Sequence, residues 1–245
     1  MTRIALISDI HSNIDALEAA LAHIDKTGAD MTLCLGDIVG YGPCPAECLH
    51  EIQKREIQCV MGNHDEYVTL LMDPRVEKLR PDIRQVVEWT QMQLSMDDLK
   101  WLSKLPMRME ADEFSILHSS FAPARWSYCL DERTFLINFM HQECQLAFCG
   151  HSHSPLLGMD MSPQEPQLDY YEKPKTIPTD RKVMVNVGSV GQPRDRNPKA
   201  CVVFYELESR QVRLERVPYD TEKAKERFVA AKLPERFGQR ICLGK

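Results

Sequence analysis

Five short apolar runs in this chain break off into the same kind of polar ending: RIALISDIH, MTLCLGD, IQCVMGNHD, ILHSS and LAFCGHSH. Short apolar runs closed by polar turns read as buried strands. Between the first three lie helical segments. Ile14, Leu17, Leu21 and Ile24 share one face of a helix that Gly28 closes, and AECLHEIQKR forms a second, shorter one. Strand, helix, strand, helix, strand calls for right-handed crossovers and a sheet that is largely parallel at this end. The C-terminal ends of such strands share one crevice, where ligands bind. Residues far apart in sequence should therefore converge there.

The rest of the chain changes character. Glu66 to Leu105 reads as helical, broken by Pro74 and Pro81, and MRMEADEFSILHSS as a hairpin turning at Ala111 to Glu113. Asp131 to Gln142 reads as a further helix. After LAFCG come KVMVNVGS, KACVVFYELE and QVRLERVPY, the last two a hairpin about Ser209 and Arg210, so antiparallel pairing is expected in this half. Met161 to Arg181, rich in Pro, Gln, Glu and Lys, reads as a surface loop or flexible hairpin; the tail from Thr221 reads as a charged helix and then an irregular end. There is no internal repeat, and one domain over residues 1–245 is expected.

With 43% hydrophobic residues in 245, the chain can bury a sizeable core. A net charge of -6 argues against a protein that binds nucleic acid by neutralising phosphates, and no sequence-specific nucleic-acid partner is expected. It leaves room for a local positive site, because bound metal ions do not enter that sum. No apolar stretch nears the roughly 20 residues of a membrane-spanning helix, and no secretory signal opens the sequence, so a cytoplasmic setting without membrane contact is expected. The nine cysteines are an odd number scattered through apolar runs, which fits a reducing compartment and no disulfide framework. Cys44 and Cys48, in CPAEC, could be half of a zinc site, but no second half with suitable spacing follows. Nothing in the sequence indicates an oligomeric state.

The polar endings hold Asp9 and His11, Asp37, Asn63 and His64, His118, and His151 and His153. Each has an ordinary reading alone. Asp9 could cap the following helix, Asn63 could be turn chemistry, and His118 a hydrogen-bonded turn residue. Helix caps do not call for His, however, and the other three histidines, His23, His50 and His141, fall on expected helices. Asp, Asn and His without Cys suit Mn, Fe, Zn, Co or Ni. Eight such candidates exceed the needs of one ion. Two divalent ions about 3.5–4 Å apart and sharing a carboxylate would use them, clamp a phosphate and turn a bound water into hydroxide near neutral pH.

In this order, D-x-H, G-D, G-N-H-D, H and G-H-x-H resemble the calcineurin-like metallophosphoesterases, and NVGSVGQPRDRNP (Asn186 to Pro198) is similar to the family's smaller prokaryotic phosphodiesterases and phosphatases. The resemblance implies an α/β/β/α sandwich: two packed mixed sheets flanked by helices. It implies that Asp9, His11 and His153 bind one metal, that Asn63, His118 and His151 bind the other, and that Asp37 bridges them. His64 would be the non-ligand histidine at the leaving group, protonating it or stabilising charge there. The implied activity is hydrolysis of small phosphate-ester or nucleotide substrates by a metal-bound hydroxide, with dinucleoside polyphosphates and phosphoproteins as alternatives. A metal-stabilised binding scaffold is the non-enzymatic alternative; the retromer subunit of this fold lacks the catalytic histidine, whereas His64 is present here. One departure stands out. Many family members carry Asp three positions after the bridging Asp, paired with the catalytic histidine, and here that place is Gly40. Asn13, Arg125, Arg194 and Arg196 are candidate phosphate contacts, and Tyr41, Phe121, Trp126, Tyr128 and Tyr170 candidate stacking surfaces.

Overall fold

The computed structural model describes residues 2–245. The chain runs β1 (Arg3–Ile7), α1 (Ile14–Thr27), β2 (Met31–Cys34), α2 (Pro45–Lys54), β3 (Gln58–Cys59), α3 (Asn63–Thr69), α4 (Pro74–Glu77), α5 (Pro81–Gln93) and α6 (Met96–Leu102). It continues through β4 (Arg108–Glu110), β5 (Ser115–Leu117), α7 (Glu132–His141), β6 (Leu146–Cys149), β7 (Leu156–Met159), β8 (Gln167–Asp169) and β9 (Lys175–Thr176). It ends with β10 (Val183–Asn186), β11 (Ala200–Glu206), β12 (Gln211–Val217), α8 (Thr221–Ala230) and α9 (Glu235–Leu243).

Two six-stranded sheets form, ordered β3-β2-β1-β11-β12-β9 and β4-β5-β6-β10-β7-β8. Each is mixed. β1, β2 and β3 are parallel and β11, β12 and β9 antiparallel in the first. In the second, β5, β6 and β10 are parallel and the outer strands antiparallel. Alternate residues of one strand serve two layers. Ile4 and Leu6 of β1, with Val203 of β11, face Phe148 and Val185 of the second sheet, whereas Ala5 and Ile7 face Leu17, Leu21 and Ile52 of α1 and α2. On the far side, Phe135 and Phe139 of α7 cover Ala147, Cys149 and Met184. The α/β/β/α sandwich is thus built from strands that are apolar on both faces.

Two expectations need correction, and the breaks at the two prolines gain a reason. Pro74 and Pro81 do more than break a helix: each occupies the first turn of a new one, where its missing N–H costs nothing. Met161 to Arg181 is not loop alone, because β8 and β9 extend the edges of different sheets by pairing with β7 and β12. The irregular end is helical over most of its length. Phe237 and Ile241 lie four apart and bury one face of α9 against Phe228 and Tyr41, and Gly244 closes the helix in the left-handed conformation. All nine cysteines are free, and Cys44 and Cys48 join no close His/Cys/Asp/Glu group among the described residues. No described helix is long and apolar enough to cross a membrane.

Candidate metal centre

β1, β2 and β3 of one sheet and β5 and β6 of the other end at a common edge, and the polar endings meet there. Three groups have ligand atoms within 4.8 Å of one another: Asp9, His11 and His153; Asp37, His118 and His151; and His11, Asp37 and His64. Asn63 adds its Oδ1, 3.2 Å from His118 Nε2. Asp37 Oδ2 lies between the sets, 3.5 Å from His11 Nε2 and 3.3 Å from His118 Nε2. All these residues are buried, with Asp9, Asp37 and His118 at 0%, 1% and 1% exposure.

Five of the seven expected ligands have left-handed backbones: Asp9, His11, Asp37, His151 and His153, with φ between 48° and 66°. Such conformations cost about 1 kcal/mol or more each and persist only where surroundings impose them. Here the two loops hold each other: the N–H groups of Asp9, His11 and Ser12 donate to the carbonyls of Gly36, Asp37 and Ile38, each at 3.0 Å. The loop after β10 ties in both sheets. Val190 and Gly191 N–H donate to Ser8 and Asp9 carbonyls, Ser189 Oγ donates to Asp9 O at 2.8 Å, and Asn186 donates to Ser152 Oγ at 3.0 Å.

Hydrogen bonds also decide which atoms face inward. Asp9 Oδ2 accepts from His151 N–H at 2.9 Å and Asp37 Oδ1 from His64 N–H at 2.8 Å, so Asp9 Oδ1 and Asp37 Oδ2 are left for the centre. Each of the four histidines in the ligand set donates its outer nitrogen to a backbone carbonyl. His11 Nδ1 bonds Val39 O (3.3 Å), His118 Nδ1 Leu35 O (2.7 Å), His153 Nδ1 Gln192 O (2.6 Å) and His151 Nε2 Trp126 O (2.9 Å). A carbonyl only accepts, so these nitrogens carry a proton; the inner nitrogens of His11, His151 and His153 then present lone pairs, and that of His118 does so once its second proton is displaced. His11 Nε2 and His153 Nε2 then face each other at 3.1 Å, beside Asp9 Oδ1, which is buried without a hydrogen-bond partner. A buried set of converging acceptors calls for positive charge, and outer-nitrogen hydrogen bonds are how proteins orient metal-binding imidazoles. The donor set fits divalent transition metals.

Titration in the absence of a cation reflects the same crowding. Burial works to raise both carboxyls. His153 and His11 nevertheless hold Asp9 well below the usual carboxylate range, and His118 does the same for Asp37. Burial would lower His118, but the Asp37 carboxylate outweighs it and pushes the imidazole up to about 10. His153 and His151 fall to about 3 and about 4, chiefly through burial, with Arg194 adding to the first and His118 to the second.

His64 sits at the rim, its ring 4.4 Å from Tyr41 and 5.0 Å from His11. Its Nδ1 is buried and unpartnered. A Cβ at Gly40 would lie 2.5 Å from that nitrogen, and Gly40 itself has φ 91°. The His64 ring therefore leaves no room for a side chain at position 40. Asp65 does not substitute. Its carboxylate accepts four backbone N–H groups, from Asp37 (2.8 Å), Ile38 (2.9 Å), Val39 (3.2 Å) and Gly62 (3.0 Å), and so clamps the Asp37 loop to the start of α3. Sequence reasoning missed this role, although an acid at the third position of a helix opening after Gly is a capping signal.

The candidate substrate contacts differ in availability. Asn13 caps α1 by accepting from Ala16 N–H and spends both amide hydrogens on Gly191 O and Tyr219 Oη. Arg125 pairs with Glu66 at 3.0 Å and lines a cavity of about 260 Å³ with His118 and Trp126. Arg194 lies over Tyr41 at 5.9 Å and donates to Gln192, while its Nε is buried without a partner. Arg196 is exposed at a cavity of about 390 Å³ that also holds Arg194 and Tyr170. Tyr41 is buried, Tyr128 stacks on His151 at 4.1 Å, Trp126 donates to Glu66, and Phe121 is half-buried beside Arg108.

Residues 2–210 match the calcineurin-like phosphoesterase superfamily domain. The chain is 34% identical over 247 residues to an uncharacterized protein of Methanocaldococcus jannaschii, covering 99% of this chain and 98% of that one. A metallophosphoesterase from Sphaerobacter thermophilus has a similar crystal structure, with TM-score 0.86 and 32% identity over 100% of both chains. A symmetrical bis(5'-nucleosyl)-tetraphosphatase of Vibrio parahaemolyticus is 29% identical over 121 residues, 48% of this chain and 44% of that protein.

Proposed function

The chain belongs to the calcineurin-like phosphoesterase superfamily, and from that premise we propose that it hydrolyses phosphate esters with two divalent transition-metal ions. Asp9, His11 and His153 would hold one ion, Asn63, His118 and His151 the other, and Asp37 both. The observation that carries this reading is the set of inward lone pairs, with His11 Nε2 and His153 Nε2 only 3.1 Å apart beside the orphaned Asp9 Oδ1. When bound, such ions supply a polarised phosphoryl group and a water acidic enough to act as hydroxide near neutral pH.

The protein's own residues do the positioning. The Asp9, Asp37 and His151 backbones fix the ligand set before any substrate arrives, which limits reorganisation during reaction. His64 falls to about 3 through burial, against the opposing pull of the Asp37 carboxylate, with His11 and Arg194 adding to the fall. It is neutral at physiological pH, so its part is to donate an N–H to charge developing on the leaving oxygen rather than to serve as a resident acid. Arg194, with an uncommitted donor, is the best supported of the phosphate contacts. Similarity to the bis(5'-nucleosyl)-tetraphosphatase over about half of the chain favours dinucleoside polyphosphates among the substrates.

Purified protein loaded in turn with Mn, Zn, Fe, Co and Ni should hydrolyse bis(p-nitrophenyl) phosphate or diadenosine tetraphosphate with at least one metal. His64→Ala should keep both ions yet lose turnover by roughly 10²-fold. Undiminished turnover would remove His64 from the chemistry, and no hydrolysis of any phosphate ester with any metal would sink the enzymatic reading.

Loading should also release a proton. The folded, metal-free protein holds one on His118 up to about pH 10. Below that pH the ion must displace it, so affinity should rise about tenfold per pH unit between pH 6 and 9. Calorimetric titration in buffers of different ionisation enthalpy measures the release; a pH-independent affinity would contradict it.

A further inference from the structure

The two C-terminal helices, α8 and α9, lie beyond the residues that match the family domain, yet they pack on the rim of its candidate centre. Phe237 of α9 meets the Tyr41 ring at 5.0 Å, and that ring stands 4.4 Å from His64 and 4.7 Å from His11. One turn further along α9, Arg240 comes within electrostatic reach of Tyr41, Arg194, Arg236 and Arg80. Arg194 and Arg240 thus both reach the Tyr41 ring beside the expected metal ligands.

Their partners differ. Arg80 and Arg236 both bind Asp82. Arg194 has no carboxylate partner among the described residues. Arg240 uses its Nε on a backbone oxygen of Lys245, the last residue of this sequence, at 2.7 Å, leaving its terminal nitrogens free, and the Arg194 Nε is buried and unpartnered. Both side chains are only partly exposed. Burial, together with Arg194, Arg236 and Arg80, presses the Arg240 pKa down. Two cations held near each other in a half-dry rim repel, and an anion that accepts from the unpartnered Arg194 Nε and the free terminal nitrogens of Arg240 would relieve the repulsion.

We propose that Arg194 and Arg240, flanking Tyr41, bind the phosphoryl groups next to the one being attacked, so that the site selects phosphoanhydride chains over isolated monoesters and diesters. The proposal rests on the hydrolase reading for which phosphorus is attacked, but the anion site itself can be tested without turnover. A phosphoanhydride carries further negative oxygens away from the reacting phosphorus. A bis-aryl phosphate has none to place at Arg240. Arg240 comes from α9, so this preference would belong to chains that carry the C-terminal helices.

Binding of inorganic tripolyphosphate and of inorganic phosphate to the metal-loaded protein, measured by calorimetry, supplies the test. The wild-type protein should prefer tripolyphosphate, and Arg240→Gln should reduce the ratio of the two affinities about tenfold. Arg240→Lys should recover part of the ratio, and Arg133→Gln, on α7, should leave it unchanged. If Arg240→Gln fails to fold, Arg240→Met, which keeps the aliphatic stem, takes its place. An unchanged ratio in folded Arg240 variants, or no preference in the wild type, would overturn the anion site whatever the enzyme hydrolyses. Conversely, an Arg240-dependent preference in a protein that cleaves no ester would retain the site and reject the hydrolase reading.

Discussion

Asp37→Asn is expected to lower turnover of phosphate esters on the order of a thousandfold or more and to leave at most one tightly held ion per chain. The substitution keeps size and shape. An amide oxygen can still accept from His64 N–H, the bond that Asp37 Oδ1 makes at 2.8 Å. What is lost is the negative Oδ2 between His11 and His118, at 3.5 and 3.3 Å. No neighbour can replace it, because Asp65 spends its carboxylate on four N–H groups and Asp9 serves the other side of the cluster. Losing a shared ligand removes several kcal/mol of transition-state stabilisation, hence the size of the drop. Metal content by elemental analysis and kcat/KM on bis(p-nitrophenyl) phosphate measure both effects. A variant with two ions and near-normal turnover would show that Asp37 is not shared.

Asp65→Ala should be the most destabilising single change near the site, although Asp65 touches no expected ligand through its side chain except the Asp37 backbone. The truncation leaves the N–H groups of Asp37, Ile38, Val39 and Gly62 without their acceptor in a dry interior. At about 1–3 kcal/mol for each unsatisfied group, the cost is roughly 4 kcal/mol or more. For a chain of this size that lowers Tm by about 10 °C. It also frees the loop that holds Asp37 at φ 53°, so metal affinity should fall about 10–100-fold. Asp65→Asn, which retains one acceptor oxygen, should lie between. Thermal unfolding followed by circular dichroism and a manganese titration are the measurements. A metal affinity unchanged in Asp65→Ala would mean that the clamp does not set the ligand geometry.

Much of this site was legible because strand ends are where sequence order becomes spatial order. β1, β2, β3, β5 and β6 are short and apolar, and each delivers Asp, Asn or His within a few residues of its last buried position, so the topology alone brings these residues together. The orienting groups were not legible. Val39, Leu35, Gln192 and Trp126 act through backbone carbonyls, which carry no residue signature. Asp65 was visible in GNHD, but its four partners come from two loops that only the fold joins. β8 and β9, of three and two residues, are too short to show a period of two and exist because an edge strand was there to pair with. α9 was hidden by its charged residues, although Phe237, Ile241 and Gly244 already spelled a short helix with one apolar face and a closing glycine. Gly40 was seen as a departure at once; that the His64 ring packs too close to position 40 for any side chain emerges only from the packing.

The pairing of the two cations is most directly tested by anomalous diffraction from crystals grown with manganese, with the metal content of the same preparation counted. The account predicts two ions per chain. One should be held by Asp9, His11 and His153 and the other by Asn63, His118 and His151, both in contact with the Asp37 carboxylate. A single ion, none, or a pair bound elsewhere would contradict it.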